Sequence, residues 1–235
     1  MKNIILQHWF GPMNELVEKS SQNISDYAKR IGADYELVRG IVFKPRIAHK
    51  MDIPCQKLVY LDEKYDEYDN VLMLDADMFA VKGLEKNIFE VERGIGRHQG
   101  IQSELRLKLL HMKGMRWGSV RTPYWGGETF MMSREFRQNF RKVLDEQVCM
   151  AFARHYHDEG IMFALANRLG ITEDQETAFG QPIYQQGKEW SWSSWEPEVE
   201  KASFVHIRRK RWTDGPKRDK ILNYYELVEK GILPE

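Results

Sequence analysis

The stretch Tyr68-Asp69-Asn70-Val71-Leu72-Met73-Leu74-Asp75-Ala76-Asp77-Met78-Phe79 decides how this chain is read. Val71 to Leu74 is an unbroken apolar run, which reads as a strand. The run delivers two aspartates, one residue apart, at its C-terminal end. In open α/β sheets that edge is where ligands bind. Hard carboxylate oxygens suit Mn²⁺ or Mg²⁺, ions that keep coordination positions for water and substrate phosphates. A plainer alternative is that Asp75 and Asp77 cap the next turn, since Asp favours turns. Apolar Met78-Phe79-Ala80-Val81 follows, however, and two charges in such surroundings need a partner. Asp75 and Asp77 are therefore read as metal ligands.

Working outward, Ile4 to Trp9 reads as a first buried strand, ended by Gly11-Pro12. Asn14 to Ile31 has helical spacing through Leu16, Val17, Ile24, Tyr27, Ala28 and Ile31, and Gly32 closes it. Tyr35 to Val38 is a second strand, and Gln56 to Leu61 a helix leading into the aspartate strand. A strand–helix–strand start predicts an α/β fold with a Rossmann-like sheet flanked by helices. Beyond the aspartates, Gly94 to Tyr124 reads as a partly helical excursion. Thr129 to Ser133 is a short strand, and Arg134 to Val148 is helical. Asp158 N-caps a helix over Ile161 to Leu169. Trp190 to Pro197 reads as loop, Phe204 to Ile207 as a brief strand and Lys220 to Gly231 as a closing helix.

Composition narrows the function classes. At 235 residues the chain suits one domain with a sizeable core. Its 35 basic and 35 acidic residues cancel, so no general attraction to nucleic acid or anionic membrane is expected. No run approaches a transmembrane span, and the apolar start is too short for a signal peptide. Cys55 and Cys149 make neither a disulfide framework nor a zinc site, which sets a reducing, cytoplasmic location as the expectation.

The aspartate stretch resembles the core motif of GT-A glycosyltransferases, with family 8 and the fungal α-mannosyl/galactosyltransferase family nearest. Three further segments fall in the order of those families. Trp125-Gly126-Gly127-Glu128-Thr129-Phe130-Met131-Met132-Ser133 is similar to their sugar and acceptor segment. His157-Asp158-Glu159-Gly160 is similar to their acidic segment, and Phe204-Val205-His206 to the strand that supplies a third metal ligand. The resemblance spans Ile4 to Trp212. The chain departs from it at Trp125, where an Asn is usual, and at Ile207-Arg208-Arg209-Lys210-Arg211-Trp212, where a glycine and Lys-Pro-Trp are usual. It implies a GT-A fold with a nucleotide-sugar-binding half (1–93) and an acceptor half (94–235). It also implies a nucleotide-diphosphate sugar donor, a carbohydrate or glycoconjugate acceptor and a metal held by Asp75, Asp77 and His206.

Other candidates carry paired readings. The basic run from Arg208 to Arg211 is a solvated surface or a diphosphate clamp, with Lys210 the preferred phosphate contact. Asp158 and Glu159 cap and complement a helix, or place a carboxylate at the anomeric carbon. Gly126 and Gly127 form a turn or admit a sugar to close backbone approach. Glu128 beside them is placed to bind sugar hydroxyls. His8 and Trp9 end the first strand, where a nucleotide base packs in α/β folds. Lys57 reaches the nucleotide or is a surface lysine. Phosphatases of the haloacid dehalogenase type also carry Asp-x-Asp after an apolar strand, usually near the N-terminus and with Thr or Val where this chain has Phe79. A metal-dependent nucleotidyltransferase and a non-catalytic nucleotide-sugar or glycan-binding module are the other classes left open.

Overall fold

A computed structural model describes residues 1–43, 53–91, 93–97, 122–145, 157–185, 191–194, 198–208 and 219–235. The chain opens with β1 (Asn3–Trp9), α1 (Glu15–Arg30) and β2 (Asp34–Arg39). Asn14 caps α1 by accepting the Val17 N–H at 3.1 Å, and Leu16, Val17, Ile24, Tyr27 and Ala28 form its buried face. Gly32 takes φ +69°, which lets the chain turn back so that Ala33 N–H reaches the Ala28 carbonyl at 2.9 Å.

A 3₁₀ helix (Ile53–Leu61) then leads to β3 (Asn70–Leu74), which runs parallel to β1. After β4 (Met78–Ala80) and one helical turn, α2 (Ile88–Val91), comes β5 (Thr129–Ser133). β5 pairs antiparallel with β3, completing a mixed sheet of order β2-β1-β3-β5. Helices α3 (Arg134–Val143) and α4 (His157–Arg168) follow, then the hairpin of β6 (Thr177–Ala178) and β7 (Gln181–Pro182). β8 (Ser191–Ser193) and β9 (Phe204–His206) join β4 in a second sheet of order β4-β9-β8, and α5 (Lys220–Glu229) comes last.

Strand alternation sorts the core into two layers. Val71 and Met73 pack with Ile4, Leu6 and residues of the 3₁₀ helix, α3 and α4. Leu72 and Leu74 pack on the opposite face with Ile5, Ile24, Tyr27 and Ala28. Covered on both sides, β3 has no room for a polar residue between Val71 and Leu74, which is why that run is uniformly apolar. Fully buried Arg137 ties α3 to the loop before β3, donating to the carbonyls of Met132, Tyr65 and Tyr68 at 2.6–2.8 Å.

Several expected elements are corrected. The segment Gln56 to Leu61 is 3₁₀ and starts earlier, at Ile53. α3 stops at Val143, because Leu144 turns to extended backbone (ψ 116°) and leaves the helix. Ser191–Ser193, expected as loop, is strand β8, and Met78–Ala80 is strand β4. Both are three residues long, too short for a periodic signal. Of the excursion between Gly94 and Tyr124, the parts described are non-helical, with Gly96 bridging Tyr184. The remainder lies outside the described residues, as do Cys149, Trp190, Trp195, Arg209, Lys210 and Arg211. Among the described residues no helix is long and apolar enough to cross a membrane.

Candidate metal centre

The two aspartates sit in a tight turn between the sheets. Met78 N–H donates to the Asp75 carbonyl at 3.1 Å, closing Asp75-Ala76-Asp77-Met78. Buried Gln7 braces this turn from β1, its Nε2 donating to the Asp75 carbonyl and to Ser20 Oγ, each at 2.9 Å. The Ser20 hydroxyl in turn donates to the Met78 carbonyl at 2.6 Å. Both ends of the turn are thus pinned by buried polar groups, and the carboxylates project from a rigid support. β5 arrives beside it, with Asp75 N–H donating to the Glu128 carbonyl at 3.0 Å.

The second sheet brings the third ligand. Met78 pairs with His206 across β4 and β9, and Ile207 N–H donates to the Asp77 carbonyl at 2.9 Å. His206 Nε2 lies 3.1 Å from Asp77 Oδ1 and 3.6 Å from Asp75 Oδ2. One ligand atom each from Asp75, Asp77 and His206 falls within 4.8 Å of the others. Two carboxylates and an imidazole form a donor set that suits a divalent ion such as Mn²⁺. The three residues can hold such a metal.

Cationic side chains surround the triad. Lys57 lies 2.8 Å from Asp75 Oδ1, 2.8 Å from Asp158 Oδ2 and 2.6 Å from the Gly127 carbonyl. Two of its ammonium hydrogens thus go to Asp75 and the Gly127 carbonyl, Asp158 joins as an ion-pair partner, and the lysine is largely enclosed rather than on the surface. Burial works against its charge, yet Asp158 and then Asp75 hold the ammonium well above its ordinary value. Lys220 at the start of α5 donates to Asp77 Oδ2. Burial would raise the Asp77 carboxyl, but His206 and then Lys220 outweigh it and hold it well below the usual carboxylate range. Arg208 donates to His206 Nδ1 at 3.0 Å and lies 3.4 Å from Glu128 Oε2.

The remaining acidic candidates converge on the same place. Asp158 stands inside α4, in its first turn, instead of capping it. Its carboxylate pairs with Lys57 because the helix enters directly beside the 3₁₀ helix. Glu159 accepts Gly127 N–H at 2.8 Å and the Tyr124 hydroxyl. Gly127 is required by this contact: a Cβ there would lie 2.8 Å from Glu159 Cγ and 3.0 Å from Asp158 Oδ2. Gly127→Ala is therefore expected to lower stability by about 1–3 kcal/mol, read as a drop in the urea midpoint at unchanged m-value. Gly126 N–H donates to the Arg97 carbonyl at 3.2 Å, which fixes the other half of the glycine pair.

Burial pushes the Asp158 carboxyl up to about 6, against the pull of Lys57. A carboxyl raised on folding stabilises the native state below its unfolded value near 4 and loses that contribution as pH rises through about 6. Relative to Asp158→Asn, the parent is expected to lose up to about 3 kcal/mol between pH 4 and pH 7. Urea titrations of both proteins at stepped pH measure this. Asp77 acts with the opposite sign and in a lower window, its contribution being lost as pH falls below about 4.

Next to the metal triad lies a cleft of about 260 Å³ lined by His8, Trp9, Phe10, Ile53, Pro54, Lys57, Asp75, Ala76 and Asp77. His8 donates from Nε2 to the Gly40 carbonyl at 2.7 Å, and burial holds its ring below the ordinary histidine value. Trp9 Nε1 donates to the Pro12 carbonyl at 2.9 Å. With these polar atoms engaged, both residues present apolar ring surface to the cleft. The structure therefore gathers His8, Trp9, Lys57, Asp75, Asp77, Gly126, Gly127, Glu128, Asp158, Glu159 and His206 into one region, while Lys210 lies outside the described residues. Lys220 is a member of the site that the sequence does not reveal, since the first residue of a closing helix carries no local sign of a partner 143 residues away. Arg208 stands out in the sequence only as part of a basic run.

The architecture is a mixed α/β fold of the GT-A kind, a parallel and antiparallel sheet flanked by helices. It is similar to the crystal structure of a glycosyltransferase involved in the glycosylation of the major capsid of PBCV-1, with a TM-score of 0.55 over 97% of this chain and 100% of that one. Identity between the two is 12%, so the likeness is one of fold. No family model and no curated protein matches the sequence.

Proposed function

We propose that the chain is a metal-dependent glycosyltransferase that moves a monosaccharide, a hexose in the first instance, from a nucleotide-diphosphate sugar to an acceptor hydroxyl. The observation that carries this reading is the Asp75–Asp77–His206 triad at the strand edge of a GT-A fold. Mn²⁺ or Mg²⁺ held there supplies a Lewis acid that neutralises the leaving diphosphate. His8 and Trp9 offer apolar walls on which the nucleotide base packs, within reach of Asp75. Residues 1–93 then serve as the nucleotide half and 94–235 as the acceptor half. Gly126 and Gly127 bring backbone close to the donor sugar, and Lys57 keeps Asp75 turned toward the metal while holding Asp158. Glu128, Asp158 and Glu159 supply carboxylates at the reacting end. One of them takes the acceptor proton in an inverting reaction, or faces the positive anomeric carbon in a retaining one. Lys210 is assigned a phosphate contact.

Calorimetry of a nucleotide-sugar panel with Mn²⁺, followed by turnover with mixed glycan acceptors, tests this. Metal-dependent binding of one donor with release of its nucleoside diphosphate is the expected result. Binding without transfer or hydrolysis would instead make the chain a binding module. Phosphate release from simple phosphoesters would make it a phosphatase.

A further inference from the structure

Two lysines neutralise the aspartates, and they are built differently. Lys57 is enclosed, 13% exposed, and shared among Asp75, Asp158 and the Gly127 carbonyl. Lys220 is one-third exposed, and among the described residues its ammonium is bound to Asp77. Its backbone is fixed all the same. Asp219 caps α5 by accepting Ile221 N–H at 3.3 Å, and Asn223 Nδ2 donates to the Arg208 carbonyl at 3.0 Å, tying the first turn of α5 to the end of β9. Lys220 is thus a flexible four-carbon arm on a fixed base, with its charge on one oxygen of a metal-ligand carboxylate while His206 faces the other.

We infer that Lys220 is a resident counter-cation of the metal centre, one that makes cation binding depend on an accompanying anion. This rests on the metal reading of the triad. Lys220 balances the charge of Asp77. A divalent ion on Asp75, Asp77 and His206 places two positive charges beside that ammonium, so an ion arriving alone must push Lys220 into solvent and forfeit the pair. An ion arriving with a diphosphate brings oxygens that the displaced ammonium can reach, and the lost pair is replaced by a new charge-assisted one. Metal and diphosphate therefore bind cooperatively, each raising the affinity of the other by the same factor. Lys57 does not play this part, because Asp158 and the Gly127 carbonyl keep it in place whatever happens at Asp75.

Calorimetric titration of Mn²⁺ into the parent, Lys220→Met, Lys220→Arg and Asp77→Asn, with and without UDP or GDP, tests the inference. The Lys220→Met protein is expected to bind Mn²⁺ alone about tenfold more tightly than the parent. The gain in Mn²⁺ affinity on adding the nucleoside diphosphate should shrink by a similar factor, and Lys220→Arg should behave as the parent. Circular dichroism melts check that the variants are folded. Unchanged or weaker Mn²⁺ binding by Lys220→Met would overturn the inference while leaving the metal centre standing. A parent that binds no Mn²⁺ sensitive to Asp77→Asn would remove the metal centre and this inference together.

Discussion

Replacing Asp77 with asparagine is expected to lower sugar transfer about 1,000-fold and to abolish measurable Mn²⁺ binding, with the fold intact. The size follows from what the carboxylate does. Asp77 is the member of the triad nearest to His206, and it is kept ionised by His206 and Lys220 together. Asparagine has the same shape but no charge, so the leaving diphosphate loses the site for its principal counter-charge. Several kcal/mol of transition-state stabilisation disappear with it, which is a factor near 10³. Steady-state kinetics at saturating donor, with Mn²⁺ titrated calorimetrically, provides the measurement. Asp26→Asn, on the exposed face of α1, is the matched control and should keep full activity. Equal activity in Asp77→Asn and the parent would sink the proposed mechanism.

Lys57→Met is expected to produce the largest loss of stability, about 3–5 kcal/mol at pH 8. Methionine fills the space, so the effect is electrostatic. Asp158 is left buried without a cation, and Asp75 loses the donor that turns it toward the triad. Asp158 can reduce the cost by taking up a proton, and without Lys57 its carboxyl rises further above 6. The deficit should accordingly be smaller at pH 5 than at pH 8. The double variant with Asp158→Asn should recover part of the stability, because it removes the buried charge itself. Denaturant unfolding at both pH values decides this. A deficit independent of pH would mean that Lys57 contributes packing alone.

The half of the fold that local pattern specifies is legible in the residue order. β1 and β3 announce themselves because buried strands need apolar runs, and α1 because it needs one apolar face. The second sheet is hidden there. β4 and β8 are three residues each, and they are strands only because β9 lies between them. Asp158 shows the same limit on a smaller scale. Its sequence context suits an N-cap, yet tertiary packing starts α4 earlier and turns the carboxylate to Lys57.

At the metal centre the division is equally physical. Residue order alone specified an apolar strand ending in Asp75 and Asp77, since burial of β3 on both faces leaves its end as the first place for charge. It also supplied His206 as a candidate, through resemblance. Which cations meet those carboxylates was decided by the tertiary structure. Lys57 comes from 18 residues away and Lys220 from 143, each from an element whose own periodicity is silent about the contact. Hydrophobic patterning is a local property of the chain and is written in its spacing. The balance of charge around a site depends on which distant elements the fold brings within a few ångströms.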